Sequence, residues 1–453
     1  MGKTINMSAQ SNFKSAWYCV GFFTILYTLS FVDRYILSLI AEPISKDLGL
    51  SDQQIGFLLG AGFAITYSIM GLPAAHLIDT TRRIPIVAAG VMLWSLSTIA
   101  SAFAVDFTTL AICRAGIAAG EAVLTPAAIS LIADLFPREK RATPVSVYSA
   151  TAGIMGTGAL VVGAATLNLA SVLAPMTGIE PWRMTMILVG LPGVFLSVLL
   201  PLTVREPARV LSEGDGQRNE ADLASFLAEL RENWRMYLPF YLAIGAAAMY
   251  ILGFLSWAPT ILVRLYGYEA SAAGYLLGLI GIPAALASAF FWPWISNRLA
   301  AKGREHALLA TILISALILA PVFIIAPLAG SAIAVVLGVG FIKLANGSGT
   351  LAPLIIQHYG PSQMRGRLMA IYTLSASVVG LTGGASLIPF FASFWPNDPR
   401  ALIYGVSLLG VIAAVLIILG YWLAGRAAVA KSGTLAKSTM VTEGRPAPST
   451  AGR

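Results

Sequence analysis

The chain has 453 residues, of which 57% are hydrophobic and only 11% charged. A soluble domain carries roughly 25% charged residues, so water is excluded as the main solvent and a soluble globular fold with it. The net charge of +8 would fit a nucleic-acid binder only if the basic residues formed one contiguous surface, and their scatter along the chain argues against that.

A helix needs about 20 apolar residues to cross the hydrocarbon core, and one such run follows another here. The runs lack the alternating pattern of a membrane β-barrel, so the spans are expected to be helical. Hydropathy places helices at about 16–40, 53–75, 84–104, 107–133, 142–170, 183–203, 237–263, 271–295, 306–327, 331–358, 366–393 and 401–424. The expected fold is therefore an all-α membrane protein of twelve transmembrane helices in two pseudo-symmetric six-helix bundles. The first run is too long for a cleavable signal and contains Asp33 and Arg34, so it is expected to stay in the mature protein. Cys19 and Cys113 both fall inside predicted helices, where they pack as small apolar side chains. No metal site or cofactor is expected.

The positive-inside rule orients the chain. Only Lys46, Arg183, Arg264 and Arg400 fall in loops on the side opposite the termini. Both termini are thus expected in the cytoplasm, in a plasma (inner) membrane. The expected domains are an N-terminal bundle over 1–203, a cytoplasmic linker over 204–236 with an amphipathic segment at Leu223 to Leu230, a C-terminal bundle over 237–424, and a disordered tail over 425–453. An internal repeat ties the halves together. Pro137, Arg141, Tyr148 and Gly156 recur as Pro361, Arg365, Tyr372 and Gly380, and paired bundles of this kind are a common transporter design, with the substrate held between them.

At the end of helix 2 the chain reads Ala75-His76-Leu77-Ile78-Asp79-Thr80-Thr81-Arg82-Arg83, which resembles the loop signature of the major facilitator superfamily. The match is partial: the family usually has Gly where Ala75 and Arg82 stand. Asp79 and Arg83 agree with it, and a carboxylate and a guanidinium at a helix end can lock helices together in one conformation. A solvated loop is the plainer reading. Phe31-Val32-Asp33-Arg34-Tyr35, Arg114 with Gly120-Glu121-Ala122, Asp134-Leu135-Phe136-Pro137 and Arg205-Glu206-Pro207 together resemble the spinster branch of that superfamily. The resemblance spans about residues 15–425. It implies alternating access, a lysophospholipid or sphingoid phosphate as substrate, and proton coupling, and the lean loops fit a bacterial member.

Five charged side chains lie well inside predicted helices: Asp33, Arg34, Arg114, Glu121 and Lys343. Each would cost about 2.5–3.5 kcal/mol facing lipid, so they face a cavity or one another. In the resembling fold helices 1, 4, 7 and 10 line the central cavity, and all five charges fall on three of these. Arg114 and Glu121 share a helical face with about 10 Å of rise between them. Asp33 comes to a depth similar to Arg114, which makes an Asp33–Arg114 pair plausible; Arg34, about 100° further round the helix, faces the cavity.

Burial favours a neutral carboxyl and a nearby arginine favours a charged one. Glu121, two turns from its arginine, is the better candidate for reversible proton binding, with Asp33 as the charge that this event frees or engages. A fixed structural network is the alternative. Arg34, Arg114 and Lys343 are expected to meet an anionic headgroup. Tyr250, Phe254 and Trp257 share one helical face, either a wall for an apolar moiety or ordinary packing.

The expected function is a secondary carrier of an anionic amphiphile whose partners are protons, a lipid-like substrate and the bilayer, with no nucleic acid. A carrier of a polar organic solute in the same fold is the alternative. A membrane enzyme is the third reading, disfavoured because His76, His306 and His358 all sit near helix ends and no nucleophile, metal or phosphate-loop motif is present.

Overall fold

The computed structural model of the protein describes residues 2–207, 223–304 and 306–443. Among these, helix is the only regular secondary structure, and 12 helices are long and apolar enough to cross a membrane. The spans are Lys14–Leu39 (1), Asp52–Thr80 (2), Arg83–Ser101 (3), Phe107–Leu135 (4), Arg138–Thr177 (5), Pro181–Thr203 (6), Trp234–Tyr266 (7), Ala270–Ala301 (8), Ala307–Leu328 (9), Ala332–Tyr359 (10), Ser362–Ala392 (11) and Ala401–Ala430 (12). An even number of spans puts both termini on one face, called terminal here; the other is distal.

Local chemistry sets the ends of the spans. Span 4 begins where Asp106 accepts from the Thr109 backbone N–H at 2.8 Å and the Thr109 hydroxyl at 2.6 Å, a side-chain cap for otherwise unpaired helix donors. These bonds also hold the Asp106 carboxyl below its ordinary range. Span 5 outruns its expected end at 170, because nothing stops it until Gly178 takes a left-handed φ of 69°, a backbone state that costs glycine little. The last helix continues to Glu443, where a disordered tail was expected from 425. The preceding span supplies the helical nucleus that lets this extension propagate. Residues 444–453 of that tail, and 208–222 of the expected linker, lie outside the described residues. The amphipathic part of the linker is a helix, Leu223–Glu232, with Phe226 buried.

The repeat is visible in backbone detail. Arg141 donates Nε–H to the Phe136 carbonyl at 2.9 Å, and Arg365 does the same to Gly360 at 3.3 Å. Each follows a single 3₁₀ turn, Arg138–Lys140 in one half and Ser362–Met364 in the other. The regular helix lapses near the middle of both spans 4 and 10: after Glu121, where Ala122 and Val123 keep helical dihedrals, and after Ala345, where Asn346 leaves them with a ψ of 56°.

The halves meet along spans 1 with 7 and 8, 5 with 8, and 2 with 11. Toward the distal face the fit is close: a Cβ on Gly60 would stand 2.6 Å from the Leu381 carbonyl oxygen, so glycine is what lets spans 2 and 11 approach. Ser386 bridges the same seam, donating to the Gly56 carbonyl at 3.2 Å and accepting from the Ala61 N–H at 3.3 Å.

Candidate functional site

The charged cluster of spans 1 and 4 is assembled differently from the expected pairing. Arg34 donates to Glu121 Oε2 at 2.8 Å, and Ser30 reaches the same oxygen at 3.4 Å. Arg114 does come to the depth of Asp33, but it binds main chain: Nη1–H to the Asp33 carbonyl at 3.2 Å, Nη2–H to the Arg34 carbonyl at 3.2 Å and Nε–H to the Leu58 carbonyl at 3.1 Å. The Asp33 carboxylate turns instead to span 3, accepting from the Thr98 hydroxyl at 2.7 Å. The expected Asp33–Arg114 ion pair is therefore corrected to Arg34–Glu121. The reason is angular. Neighbours on a helix diverge by about 100°, and span 4 presents Glu121 to the face that Arg34 occupies.

Arg114 is thus a positioning residue, tying span 4 to spans 1 and 2 through carbonyls that have a second lone pair to offer. Arg34 is the more accessible cation, its side chain 19% exposed. Its guanidinium lies 4.8 Å from the Phe63 ring centroid and 5.4 Å from Phe31, within cation–π range. Glu121 Oε1 and Arg34 Nε are buried with no hydrogen-bond partner among the described residues.

A cavity of about 260 Å³ opens between the halves at mid-depth. Phe31, Tyr35 and Gly156 contribute from the first half and Ile251, Lys343 and Tyr372 from the second. Lys343 reaches across: a Cβ on Gly156 would stand 2.9 Å from its Nζ. No ion pair among the described residues involves Lys343, so its ammonium is the uncompensated charge of the cavity.

Tyr250, Phe254 and Trp257 are not in that wall. All three are buried within the second half, where the Tyr250 hydroxyl donates to the Phe323 carbonyl at 2.8 Å and the Trp257 indole to the Ala385 carbonyl at 2.8 Å. Span 7 turns its other face, with Ile244, Ala247, Ala248 and Ile251, to the cavity. The aromatic lining of the cavity is Phe31 and Tyr35 of span 1 with Tyr372 of span 11; Phe31 contacts Tyr27 and Tyr35, while Phe63 and Tyr67 of span 2 flank the Arg34 guanidinium. The i, i+4 spacing of Phe31 with Tyr35 was the available signal.

Two further arginines organise the ends. Arg83, 1% exposed, pairs with Asp134 and Glu206 and donates to the Ser130 hydroxyl at 2.9 Å. It ties spans 3 and 4 to the segment after span 6, all within one half. Asp79 is exposed in the last turn of span 2. Arg264, near the distal end of span 7, does cross the interface. It grips Glu42 at 2.8 and 3.0 Å and Asp52 at 2.8 and 2.9 Å. Nothing local marks this triad, because Arg264 lies more than two hundred positions from both carboxylates.

Comparison with known proteins agrees with this geometry. The family described as Major Facilitator Superfamily matches residues 23–384. An "MFS-type efflux pump" of Mycolicibacterium smegmatis is 29% identical over 424 residues, 91% of this chain and 93% of that protein. A "Probable L-galactonate transporter" of Escherichia coli is 26% identical over 286 residues, 59% of each chain. Among solved structures, a bacterial homologue of the human lysosomal transporter Spinster, in an inward-facing and unoccupied conformation, superposes with a TM-score of 0.75 at 24% identity, covering 91% of this chain and 97% of that one.

Proposed function

Because the chain belongs to the major facilitator superfamily, as a spinster-like transporter, we propose that it is a proton-coupled carrier moving an anionic amphiphile by alternating access. It is an integral membrane transporter and not an enzyme. In this proposal both termini are cytoplasmic, in a plasma (inner) membrane, so the close seam and the Arg264 triad seal the outside and the structure is the inward-facing state.

One observation carries the substrate class: the cavity sets a single unpaired ammonium, that of Lys343, among predominantly apolar and aromatic side chains. An anion alone would be served by hydrogen-bond donors on every side. An anion with a hydrocarbon body uses both the charge and the apolar wall.

Arg34 and Glu121 supply the coupling. With Glu121 ionised, Arg34 is held at 2.8 Å. A proton on the unpartnered Oε1 cancels that charge, and the freed guanidinium turns to the substrate anion beside Lys343. Loss of the proton to the other side would reverse the exchange. Asp33, bonded to Thr98, supports span 1 in this scheme. The pseudo-twofold relation of the two halves, about an axis along the membrane normal, is the frame for their rocking.

A second reading is a carrier of a sugar acid. The L-galactonate transporter among the relatives and the Asn346 amide beside Lys343 in the cavity favour it. Uptake into proteoliposomes under an imposed pH gradient, with labelled lysophosphatidate against labelled L-galactonate, separates the two. Gradient-driven accumulation of the lysolipid, with Glu121→Gln keeping exchange but losing the response to the gradient, is the expected result. Accumulation of galactonate alone would replace the amphiphile with a polar solute. Wild-type gradient dependence in Glu121→Gln would remove Glu121 from the coupling.

A further inference from the structure

The terminal face carries a second cavity, separate from the central one, of about 610 Å³ between the start of span 7 and the end of span 12. Arg235 and Arg426 line it, with Met236, Pro239 and Leu423 as an apolar wall and Glu232 as its carboxylate. Each arginine stacks on an exposed tryptophan of its own helix: Arg426 lies 4.8 Å from the Trp422 centroid and Arg235 5.8 Å from Trp234. Neither makes an ion pair among the described residues. That sets them apart from Arg83, Arg183 and Arg264, which are all paired to carboxylates.

Depth places this cavity at the lipid headgroups. From Arg235 to the distal Arg264, span 7 runs about 43 Å, matching the roughly 40–45 Å of a bilayer with its headgroups. Tryptophan is the side chain expected at that level. We propose that this cavity binds an anionic diacyl phospholipid of the leaflet on the terminal side. The two guanidiniums take the phosphate, with the fork geometry suited to its oxygens, and the acyl chains run down past Met236, Pro239 and Leu423. Two cations and Glu232 leave one net positive charge, the complement of a singly charged phosphodiester. The apolar wall beneath the arginines distinguishes a lipid from free phosphate. A lipid seated there joins spans 7 and 12 beside the end of the linker helix, whose Glu229 already accepts from the Tyr237 hydroxyl at 3.1 Å.

The full-length protein in detergent, titrated with phosphatidylglycerol or phosphatidylcholine, tests this by native mass spectrometry and by thermal unfolding. The expected result is retention of phosphatidylglycerol and a rise in melting temperature with that lipid and not with phosphatidylcholine. Arg235→Gln with Arg426→Gln should weaken phosphatidylglycerol binding by at least tenfold while melting as wild type in phosphatidylcholine. The Arg235→Lys, Arg426→Lys pair should recover part of the binding. Lys343→Gln should leave binding intact. Equal effects of the two lipids, undiminished binding in the double Gln variant, or loss of binding in Lys343→Gln would each overturn the proposal, the last by moving the lipid to the central cavity. An equal shift from glycerol phosphate would show a free-anion site instead.

Discussion

Arg83 and Arg264 use the same chemistry to opposite ends. Each holds two carboxylates, but the partners of Arg83, Asp134 and Glu206, belong to its own half, and its side chain is 1% exposed. Arg264 holds Glu42 and Asp52 of the other half at 28% exposure. A cluster inside one body is made once, on folding, and keeps its bonds as the body moves. Under the proposed alternating access, a cluster between bodies is broken in every cycle, and partial hydration lowers the cost of that step, because water replaces the lost partners. Location relative to the moving interface, more than the residue types, separates a brace from a gate.

The comparison can be broken by mutation. The largest effect is expected for Arg83→Gln, which leaves Asp134 and Glu206 without their cation in a desolvated site. A loss of about 3–5 kcal/mol should appear as a marked fall in melting temperature and in folded yield. Arg264→Gln should melt near wild type but redistribute conformers by about 1–2 kcal/mol, a factor of roughly 5–30, toward opening at the distal face. In a background of Cys19→Ala and Cys113→Ala, Ala385→Cys in the closed seam would then react faster with an impermeant maleimide added on the distal side. If Arg264→Gln instead unfolds the protein and leaves labelling unchanged, the distinction between brace and gate fails.

Smaller effects sharpen the same contrast. Tyr250→Phe removes a hydrogen bond within the second half, so about 0.5–1.5 kcal/mol of stability should be lost with no change in apparent substrate affinity. A raised KM without destabilisation would put Tyr250 back in the cavity wall. Asp52→Asn should be mildest, under about 1 kcal/mol at a partly exposed pair. Its labelling difference from wild type should shrink between 0.1 and 1 M salt, as the screening length falls from about 10 to 3 Å. A salt-independent difference would mean that the triad is effectively buried.

The candidate site was legible in part. Asp33, Arg34, Arg114, Glu121 and Lys343 stand out in sequence because a charge in an apolar run is costly, and the family resemblance placed helices 1, 4 and 10 on the central cavity. Sequence spacing gave the depth of Asp33 relative to Arg114 correctly, since rise per residue is nearly constant. It could not give the pairing. Whether Glu121 meets Arg34 or another partner depends on how spans 1 and 4 are rotated about their axes, and that rotation is set by packing among all the neighbours. The aromatic face of span 7 failed for the same reason: Tyr250, Phe254 and Trp257 share a face, but periodicity does not say which neighbour that face meets.

Hydropathy, acting residue by residue through the cost of placing each side chain in lipid, determined the twelve spans, their order and the short list of charges that must be hidden. Those are local properties of the chain. Only the tertiary structure decided that Arg34 holds Glu121, that Arg114 spends its hydrogen bonds on main-chain carbonyls, and that Arg264 closes the distal face on Glu42 and Asp52. Each of these joins groups from helices that no local preference brings together, so each exists only after the helices have packed.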